Sequence, residues 1–246
     1  MTQEKYLWLH SFVKRMLDVL LSLLALLFIL PILILIIVIL KFTGEGEIFY
    51  LQERMGLNKK PFYIYKFSTM LKNSPNIGNK TVTVRNDPRI TKFGRILRLT
   101  KINELPQIFN VLKGDMSLVG PRPLLISGFF KYTLEVQELI YRNKPGITGI
   151  GSLIFRDEEL LVTNYKKLQK NPLDYYRLYI YPYKGSLEQW YYHNQTFKLD
   201  LKILLLTFVS ILMPSSQLVY KIFRDLPKKP DSLTLDGINE LADSSR

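Results

Sequence analysis

The residues most able to do chemistry lie between positions 103 and 123 of the chain. Asn103 and Glu104 precede Pro106, and proline suits the first turn of a helix because the amide donors there lack a partner within the helix. The spacing predicts Asn103 as the helix N-cap and Glu104 in the first turn, where free N–H groups and the helix dipole attract anions. A carboxylate there, beside a basic loop, could hold Mg²⁺ against a diphosphate. A satisfied helix cap without chemistry is the alternative.

A second candidate group is Arg122, which lies between Pro121 and Pro123. Proline fixes one backbone dihedral, so two flanking prolines hold the arginine on a stiff segment of chain. A guanidinium fixed in this way is suited to a two-point contact with a phosphate. A purely structural arginine is the alternative, and the residues alone do not choose between the two.

Cysteine and histidine are scarce, which limits the chemistry further. The chain has 246 residues, no cysteine and two histidines, His10 and His193. The lack of cysteine excludes disulfides, iron–sulfur clusters, cysteine-ligated zinc and a thiol nucleophile. Two histidines exclude a multi-histidine metal site within one chain and disfavour a Ser-His-Asp arrangement. We therefore expect any metal to be a hard cation such as Mg²⁺, bound by carboxylate and phosphate oxygens.

The positive charge is concentrated in one stretch of the chain. Lys and Arg number 34 against 21 Asp and Glu, which gives a net charge of +13. Residues 54–101 alone contain twelve of these cations and a single acid, Asp87, a local charge of +11. Such a stretch attracts an anionic membrane surface or phosphorylated substrates. Nucleic acid is the competing partner, but the sequence has no helix-turn-helix, zinc-finger or RNP-type motif, so we expect no nucleic acid.

An apolar run of 22 residues covers positions 19–40, where Ser22 is the only polar side chain. As one helix it would extend about 33 Å, enough to cross a bilayer core, and it is too long for a signal peptide. Pro31 lies near its middle and would bend a helix. Cations on both flanks, Lys14 with Arg15 and then Lys41, favour keeping both ends in the cytoplasm. A re-entrant hairpin broken at Pro31 and a spanning helix both remain open.

The rest of the chain predicts an α+β body of short elements. The expected elements are strands at 48–51 and 62–67, helices at 91–99, 105–112 and 128–143, a polar loop at 73–80 and a turn at 145–149.

Three later segments are interpreted from composition. The tyrosine-rich segment 163–192 fits either a membrane–water boundary or a packed core. The apolar segment 201–213 is too short to span a bilayer, so it either lies in the interface plane or is a core helix. The chain is polar towards its end, and we expect a disordered tail at 226–246.

A series of short motifs runs in order through most of the chain. They are Lys14-Arg15-x-x-Asp18, Gln52-Glu53-Arg54-x-Gly56, Lys66-Phe67-x-Thr69-Met70, Asp87-Pro88-Arg89-Ile90-Thr91, Glu104-Leu105-Pro106-Gln107, the run from Asn110 to Ser117, Val119-Gly120-Pro121-Arg122-Pro123, the run from Pro145 to Gly149, and Asp200-Leu201-Lys202-Ile203. With these motifs after a broken apolar helix, the chain resembles the bacterial sugar transferases, the monotopic polyprenyl-phosphate phosphoglycosyl transferases, over residues 11–213.

The resemblance implies an α+β fold in three parts. Residues 1–42 would form an N-terminal segment with a re-entrant membrane helix hairpin. Residues 43–225 would form a small, mostly helical cytosolic catalytic domain with a short β element and interfacial amphipathic helices, and residues 226–246 the tail. The catalytic domain would lie on the cytoplasmic face of the bacterial inner membrane.

The resemblance also implies an activity. The enzyme would transfer a phosphosugar from a UDP-sugar to a polyprenyl phosphate, undecaprenyl phosphate, and release UMP. This step would initiate the synthesis of a surface glycan: a capsule, an exopolysaccharide or an O-antigen. The implied cofactor is Mg²⁺, and the implied partners are the UDP-sugar, the polyprenyl phosphate and the lipid bilayer; a homo-oligomer is also compatible.

Functional positions follow from the resemblance residue by residue. Asn103 and Glu104 occupy the catalytic positions, and Glu104 is also the expected metal ligand. The expected substrate-binding residues are Lys66, Thr69, Asp87, Arg89, Arg122 and Arg156. The identity of the sugar is not predicted, and its specificity is expected in the loops at 73–84 and 150–185.

The sequence departs from the family pattern at three places. Asn103 stands where the family has the aspartate nucleophile that forms a covalent phosphosugar intermediate, and an amide is a poor nucleophile. Ser68 stands where the family usually has arginine, and the segment 150–159 replaces a Gly-Arg segment, with Arg156 as the expected substitute.

The change at Asn103 leaves several outcomes open. Glu104 could act as the nucleophile, or as general base and metal ligand for direct attack by the polyprenyl phosphate. Asn103 could be deamidated to aspartate. A catalytically silent homologue that binds substrates as a scaffold subunit is the alternative, although we favour an active transferase because the neighbouring motifs are intact.

Overall fold

The computed structural model describes residues 3–43, 45–74, 87–213 and 218–243 of the chain. A long N-terminal helix packs along a mixed body of helices and two small sheets. The specificity loop expected at 73–84, like the polar loop at 73–80, falls from residue 75 onward outside the described residues.

Helix α1 comprises Gln3–Phe42, and its part Ser11–Phe42 is long and apolar enough to cross a membrane. Pro31 lies inside the helix, and the helical assignment continues through it. A proline removes one backbone hydrogen bond and bends a helix without necessarily ending it. The expected break at Pro31 therefore does not divide α1 into two separate helices in the structure.

One face of α1 is anchored on the body by polar contacts near its N-terminal end. Arg15 donates to the carbonyl oxygen of Leu112 at 2.9 Å, and Asp18 Oδ1 accepts from the backbone N–H of Leu118 at 3.0 Å. Lys14 forms an ion pair with Asp200. These contacts fix the start of the apolar run against the folded body.

The C-terminal end of the apolar run packs on the same body through side chains. Leu33, Ile36 and Leu40 form a buried cluster with Phe67 and Leu97. Their spacing of three and four residues places them on one helix face. The opposite face is exposed, with Leu27 at 69 % and Phe28 at 70 % exposure. Both ends of the run thus contact one domain, while the side chains between them are largely uncovered.

The two strands expected at 48–51 and 62–67 are present, and the first extends further along the chain than expected. Strands β1, Phe49–Met55, and β2, Pro61–Phe67, pair antiparallel around a 3₁₀ turn at Leu57–Lys59. Asn58 has φ of 53°, in the left-handed region that asparagine tolerates better than most residues. Asparagine at this position therefore suits the tight turn that closes the hairpin.

The helices expected at 91–99 and 105–112 are also present, but with a different cap. Helix α2, Lys92–Leu99, begins after Thr91, whose hydroxyl accepts from the backbone N–H of Gly94 at 3.0 Å. A separate 3₁₀ turn covers Ile102–Glu104, and α3, Gln107–Lys113, starts after Pro106. The prediction of Asn103 as the helix N-cap is wrong, because this turn ends before α3 begins.

The segment expected as a turn at 145–149 is a strand. Strand β4, Gly146–Thr148, pairs in parallel with β3, Ser117–Val119. Between them, the helix expected at 128–143 is two helices, α4, Ile126–Phe129, and α5, Leu134–Ile140. The division occurs because Thr133 has an extended backbone and caps a new helix with its hydroxyl.

The C-terminal half is helical and builds the largest core. Its elements are α6 Ile150–Ile154, α7 Glu158–Lys167, α8 Pro172–Tyr175, a π-helical turn Tyr176–Ile180, α9 Tyr181–Asn194 and α10 Phe197–Leu212. Tyr165, Tyr175, Tyr183 and Tyr191 are all buried in this core. Of the two interpretations of the tyrosine-rich segment, core packing holds for these four side chains.

One face of helix α10 packs in the core, and the other is exposed. Leu199, Ile203 and Leu206 are buried, whereas Leu205 is 59 % and Phe208 is 63 % exposed. The segment 201–213 is therefore a core helix whose outer face is also apolar and is uncovered.

The C-terminal tail differs from its predicted disorder. Helix α11, Leu218–Ile222, precedes this segment. The described part of the segment, up to residue 243, forms a 3₁₀ turn at Asp231–Leu233 and α12, Leu235–Asp243. Leu233 and Ile238 are fully buried in the main core. These two buried side chains anchor an otherwise polar segment on the core. The average composition of the segment does not indicate them.

Candidate active site

A carboxylate and three cations from separate elements converge on one small cavity. Glu104 comes from the 3₁₀ turn, Lys66 from β2, Arg54 from β1, and Arg122 from the loop after β3; Gln107 of α3 completes the polar lining. Lys66 Nζ lies 2.8 Å from Glu104 Oε1, and Arg122 Nη2 lies 3.5 Å from the same oxygen. The cavity volume is about 10 Å³, about the space of a single water molecule.

The hairpin register explains why two of these cations meet. Arg54 pairs with Phe62 across the ladder, so Arg54, Ile64 and Lys66 project from the same face, because successive strand residues alternate sides. The other face carries Phe49, Leu51 and Tyr65, which border an apolar groove of about 490 Å³ together with Phe109 and Lys113. One sheet face is thus cationic and the other apolar.

Burial and mutual repulsion shape the charges of the cavity. Burial lowers the pKa of Lys66 to about 8, although the charge of Glu104 partly offsets this. Burial and the neighbouring Arg122 lower the pKa of Arg54 to about 10. Burial raises the pKa of Glu104, but Lys66 and Arg122 outweigh it and hold that pKa well below its usual range. One ionised carboxylate among three cations leaves a surplus of positive charge, which suits an anionic ligand.

The loop that carries Arg122 is held by its backbone. The Tyr141 hydroxyl donates to the carbonyl oxygen of Arg122 at 2.9 Å and accepts from the backbone N–H of Leu124 at 2.8 Å. Arg54 Nη1 donates to the carbonyl oxygen of Pro123 at 3.1 Å. The stiffness expected from the two prolines is therefore reinforced by side chains from β1 and from the residue after α5.

Glycines allow this loop to approach β4 closely. A Cβ at Gly146 would overlap the backbone nitrogen of Gly120, and a Cβ at Gly149 would overlap the carbonyl oxygen of Gly120. Gly120 in turn donates to the carbonyl oxygen of Thr148 at 2.9 Å. The parallel pair β3–β4 brings the Arg122 loop to its place only because these positions lack side chains.

We expect Gly146→Ala to lower the free energy of unfolding by about 2–4 kcal/mol, since the added methyl forces backbone apart in a packed region. Thermal melting of the purified protein in detergent measures the loss. Gly128→Ala is the matched control, because a Cβ there would meet only ordinary contacts at 3.6 Å and beyond. Equal melting temperatures for the two variants would contradict the tight approach.

Predicted site residues divide into two groups in the structure. Lys66, Glu104 and Arg122 are brought together as described above. Asn103 is buried but does not line the cavity. Arg156 follows α6, and its Nη1 is buried without a partner in the described part of the chain.

Thr69, Asp87 and Arg89 cluster together outside the cavity. Arg89 Nη2 contacts Asp87 Oδ2 at 2.6 Å, and this ion pair is almost fully buried. The carbonyl oxygen of Thr69 accepts from the backbone N–H of Thr91 at 3.0 Å. The hydrogen bond from Arg89 lowers the pKa of Asp87 below its usual value. These three residues build a rigid corner before α2 in the described structure.

Sequence reasoning missed Arg54 and Gln107 as members of the site. Both occur within motifs recognised in the sequence, but only the strand register and the position after Pro106 show that they face Glu104. It also missed a second buried cluster beside Arg122. There Lys184 Nζ lies 2.6 Å from Glu158 Oε2, and Tyr176 donates to Glu158.

The residues present fit Mg²⁺ only in combination with a phosphate ligand. The described residues contain no group of three or more His, Asp or Glu side chains able to hold a metal alone. Both ion pairs of Glu104 are made by Oε1, which leaves Oε2 as the oxygen able to bind a cation. Mg²⁺ is commonly held by one or two carboxylates together with substrate phosphates, so a single carboxylate is compatible with the expected cofactor.

The family model and the relatives that match this chain point to the same protein family. The family model for bacterial sugar transferase matches residues 9–214. A Bacillus subtilis protein named "Uncharacterized sugar transferase EpsL" is 37 % identical over 201 residues, covering 82 % of this chain and 88 % of that protein.

Two longer relatives have names that state an activity. The UDP-glucose:undecaprenyl-phosphate glucose-1-phosphate transferase of Xanthomonas campestris pv. campestris is 35 % identical over 81 % of this chain and 38 % of its own length. The undecaprenyl-phosphate galactose phosphotransferase of Salmonella typhimurium is 34 % identical over 80 % of this chain and 40 % of its own length. This chain therefore spans well under half of these two relatives. The match of the family model to most of the chain shows that it belongs to the bacterial sugar transferase family.

Proposed function

We propose that the chain transfers a phosphosugar from a UDP-sugar to undecaprenyl phosphate and releases UMP, as the membrane step that initiates a surface glycan. The observation that carries the proposal is the cavity in which Lys66, Arg54 and Arg122 surround Glu104. A reaction between two phosphates requires cations that are already in position. These cations offset the repulsion between the phosphates and stabilise the charge that develops on the leaving group. The relatives named for undecaprenyl-phosphate transfer support the same chemistry.

The site favours direct displacement. An oxygen of the acceptor phosphate attacks the sugar-bearing phosphorus of the donor, the bond from that phosphorus to the bridging oxygen breaks, and UMP leaves with this oxygen and its electron pair. The acceptor phosphate is already ionised near neutral pH, so the attack needs no general base. The lowered pKa of Glu104 makes this carboxylate a poor base in any case.

The residues of the cavity have distinct roles in this proposal. Lys66 and Arg122 bind the donor phosphates and stabilise the charge that develops on the leaving group. Glu104 orients both cations through Oε1 and would hold Mg²⁺ through Oε2. The bound Mg²⁺ would supply further neutralisation of the phosphate charge.

We further propose that α1 is re-entrant and that the catalytic body lies on the cytoplasmic face of the inner membrane. A spanning helix places its two ends on opposite sides of the bilayer. Here Asp18 contacts Leu118 and Leu40 packs with Leu97, so both ends of the apolar run contact one body. The exposed apolar side chains between them and the basic stretch beside them support a shallow, one-sided anchor.

Labelling of single cysteines tests this topology in a chain that has no native cysteine. We expect Ser11→Cys and Thr43→Cys to react with a membrane-impermeant maleimide only when the cytoplasmic face is accessible. Glu138→Cys, on the exposed surface of the body, marks that face, and Phe28→Cys should be protected by lipid. Labelling of Ser11→Cys and Thr43→Cys from opposite faces would establish a spanning helix instead.

Release of UMP tests the transfer itself. Purified protein in nanodiscs is incubated with undecaprenyl phosphate, Mg²⁺ and a panel of UDP-glucose, UDP-galactose and UDP-N-acetylgalactosamine. We expect UMP with at least one donor and only when the acceptor is present. No UMP with any donor from the wild type, together with release from Asn103→Asp, would overturn the proposal. That result would favour a silent substrate-binding subunit, an alternative that the uncharged side chain of Asn103 motivates.

A further inference from the structure

A buried carboxylate that the transfer chemistry does not use lies behind Arg122. Glu188 lies on α9 and is 7 % exposed. Its Oε1 lies against Gly151, where an added Cβ would come within 2.7 Å of it. Its Oε2 is buried and, within the described part of the chain, has no hydrogen-bond partner. This carboxylate fits its position only because residue 151 has no side chain.

Glu188 contacts the backbone of the residue that binds Glu104. The backbone N–H of Arg122 faces the Glu188 carboxylate and favours its ionised form, while the carbonyl oxygen of Arg122 accepts from Tyr141. The arginine is therefore fixed on both sides of its own Cα. Its guanidinium, 40 % exposed, is the part that remains accessible to a ligand.

A buried carboxylate with one unpartnered oxygen is costly to keep ionised. Burial accordingly raises the pKa of Glu188 to about 7, against opposing effects of the Arg122 N–H and of Lys184. The group is thus able to gain or lose a proton near neutral pH.

We propose that Glu188 is a positioning residue for the donor: it holds the backbone of Arg122 in place and takes up a proton when the diphosphate binds beside it. The inference rests on the proposed function, because it assumes that Arg122 receives the donor phosphates. It adds to that function a residue from α9 which touches neither substrate nor Glu104.

Among the charged and titratable groups around this site, Glu188 is the one whose protonation state changes near neutral pH. The charged and titratable neighbours are Arg122 from the loop, Lys184 and Tyr191 from α9 itself, and Tyr132 and Tyr141 from the segment around α5. Helix α6 places Gly151 against this carboxylate. Burial raises the pKa values of all three tyrosines, so they stay neutral, and Lys184 is paired with Glu158.

The negative charge of the donor determines in which direction binding shifts the pKa of Glu188. A diphosphate brings negative charge towards Arg122, which disfavours an ionised Glu188 and raises its pKa on binding. Donor affinity should therefore fall as pH rises through about 7. If binding raises the pKa from about 7 to about 8, the affinity falls about threefold between pH 6.0 and 7.5, and about 0.4 proton is taken up at pH 7.0.

Calorimetry of UDP-glucose and UDP-N-acetylgalactosamine binding, in buffers of different ionisation enthalpy, measures both quantities. Glu188→Gln keeps an acceptor for the Arg122 N–H but cannot titrate. We expect its affinity to change less than about 1.5-fold over the same pH range and its proton uptake to fall below about 0.1, the remainder coming from Lys66. Glu188→Ala removes the acceptor and should weaken binding about tenfold at both pH values.

Glu138→Gln is the matched control, because Glu138 is exposed and pairs with Lys59 on the surface of α5; it should behave as wild type. The same preparations are assayed for UMP release. Wild-type turnover together with an unchanged pH profile and unchanged proton uptake in Glu188→Gln would overturn the positioning role while the proposed function stands. Absence of both UMP release and donor binding in the wild type would instead overturn the proposed function. Melting curves identify any variant that fails to fold.

Discussion

Glu104→Gln is expected to lower the rate of UMP release by about a thousandfold. The substitution keeps the shape of the side chain but removes the negative charge that lies beside Arg54, Lys66 and Arg122 in the cavity. The two cations that contact Glu104 Oε1 lose the group that orients them, and the amide is a poor ligand for Mg²⁺. Loss of electrostatic organisation at a transferring phosphate commonly costs two to three orders of magnitude or more.

Glu138→Gln provides the matched control for this prediction. Glu138 also pairs with a lysine, Lys59, but on the exposed surface of α5. Its substitution removes an equal charge and should leave the rate within about twofold, since exposed ion pairs contribute little. A rate for Glu104→Gln within tenfold of the wild type, in protein whose melting temperature is unchanged, would show that the carboxylate is dispensable.

The second large effect is expected from Asn103→Asp. Residue 103 shares a 3₁₀ turn with Glu104, and the resemblance assigns an aspartate nucleophile to this position. The wild-type amide supports only direct displacement, so UMP release should require the acceptor. The aspartate supplies a nucleophile and should produce, without acceptor, one UMP per enzyme molecule together with a covalent phosphosugar at residue 103. With acceptor present, we expect turnover to rise at least about tenfold.

Intact-protein and peptide mass spectrometry measure this adduct. The wild type should show no adduct under the same conditions. An adduct on Glu104 of the wild type would identify a relocated nucleophile, and an adduct on residue 103 accompanied by conversion of Asn to Asp would identify deamidation. Either result would contradict direct displacement. Asn110→Asp is a useful comparison, because Asn110 is also a buried asparagine but its side chain is engaged by the backbone of Tyr63 and Tyr65.

Some of the fold follows directly from sequence pattern. The hairpin and α2 were predictable because alternation, a turn with Asn58 and the Thr91 cap act locally. Strand β4 was not, because a three-residue strand begun by Gly146 has no propensity of its own and exists through its parallel partner. The docking of the tail depends in the same way on distant contacts, through Leu233 and Ile238.

The residues of the candidate site also divide into those that sequence motifs identify and those that only the fold identifies. The sequence motifs selected Lys66, Glu104 and Arg122, and the structure brings these three side chains together at one cavity. Arg54 could be assigned to the site only from the strand register, and Glu188 only from the position of α9 beside Gly151. Asp87 and Arg89, which the resemblance assigns to substrate binding, form a buried ion pair with each other.

The double attachment of α1 has a consequence for how the protein responds to its lipid surroundings. A spanning helix adjusts by tilting when the bilayer is thinner or thicker than its apolar length, and that hydrophobic mismatch moves any domain attached to it. Here Asp18 and Leu40 tie both ends of the apolar run to the body. In the proposed one-sided topology, these protein contacts would set the height of the cavity above the lipid phosphates, so we expect turnover to depend little on acyl-chain length in vesicles of defined lipid.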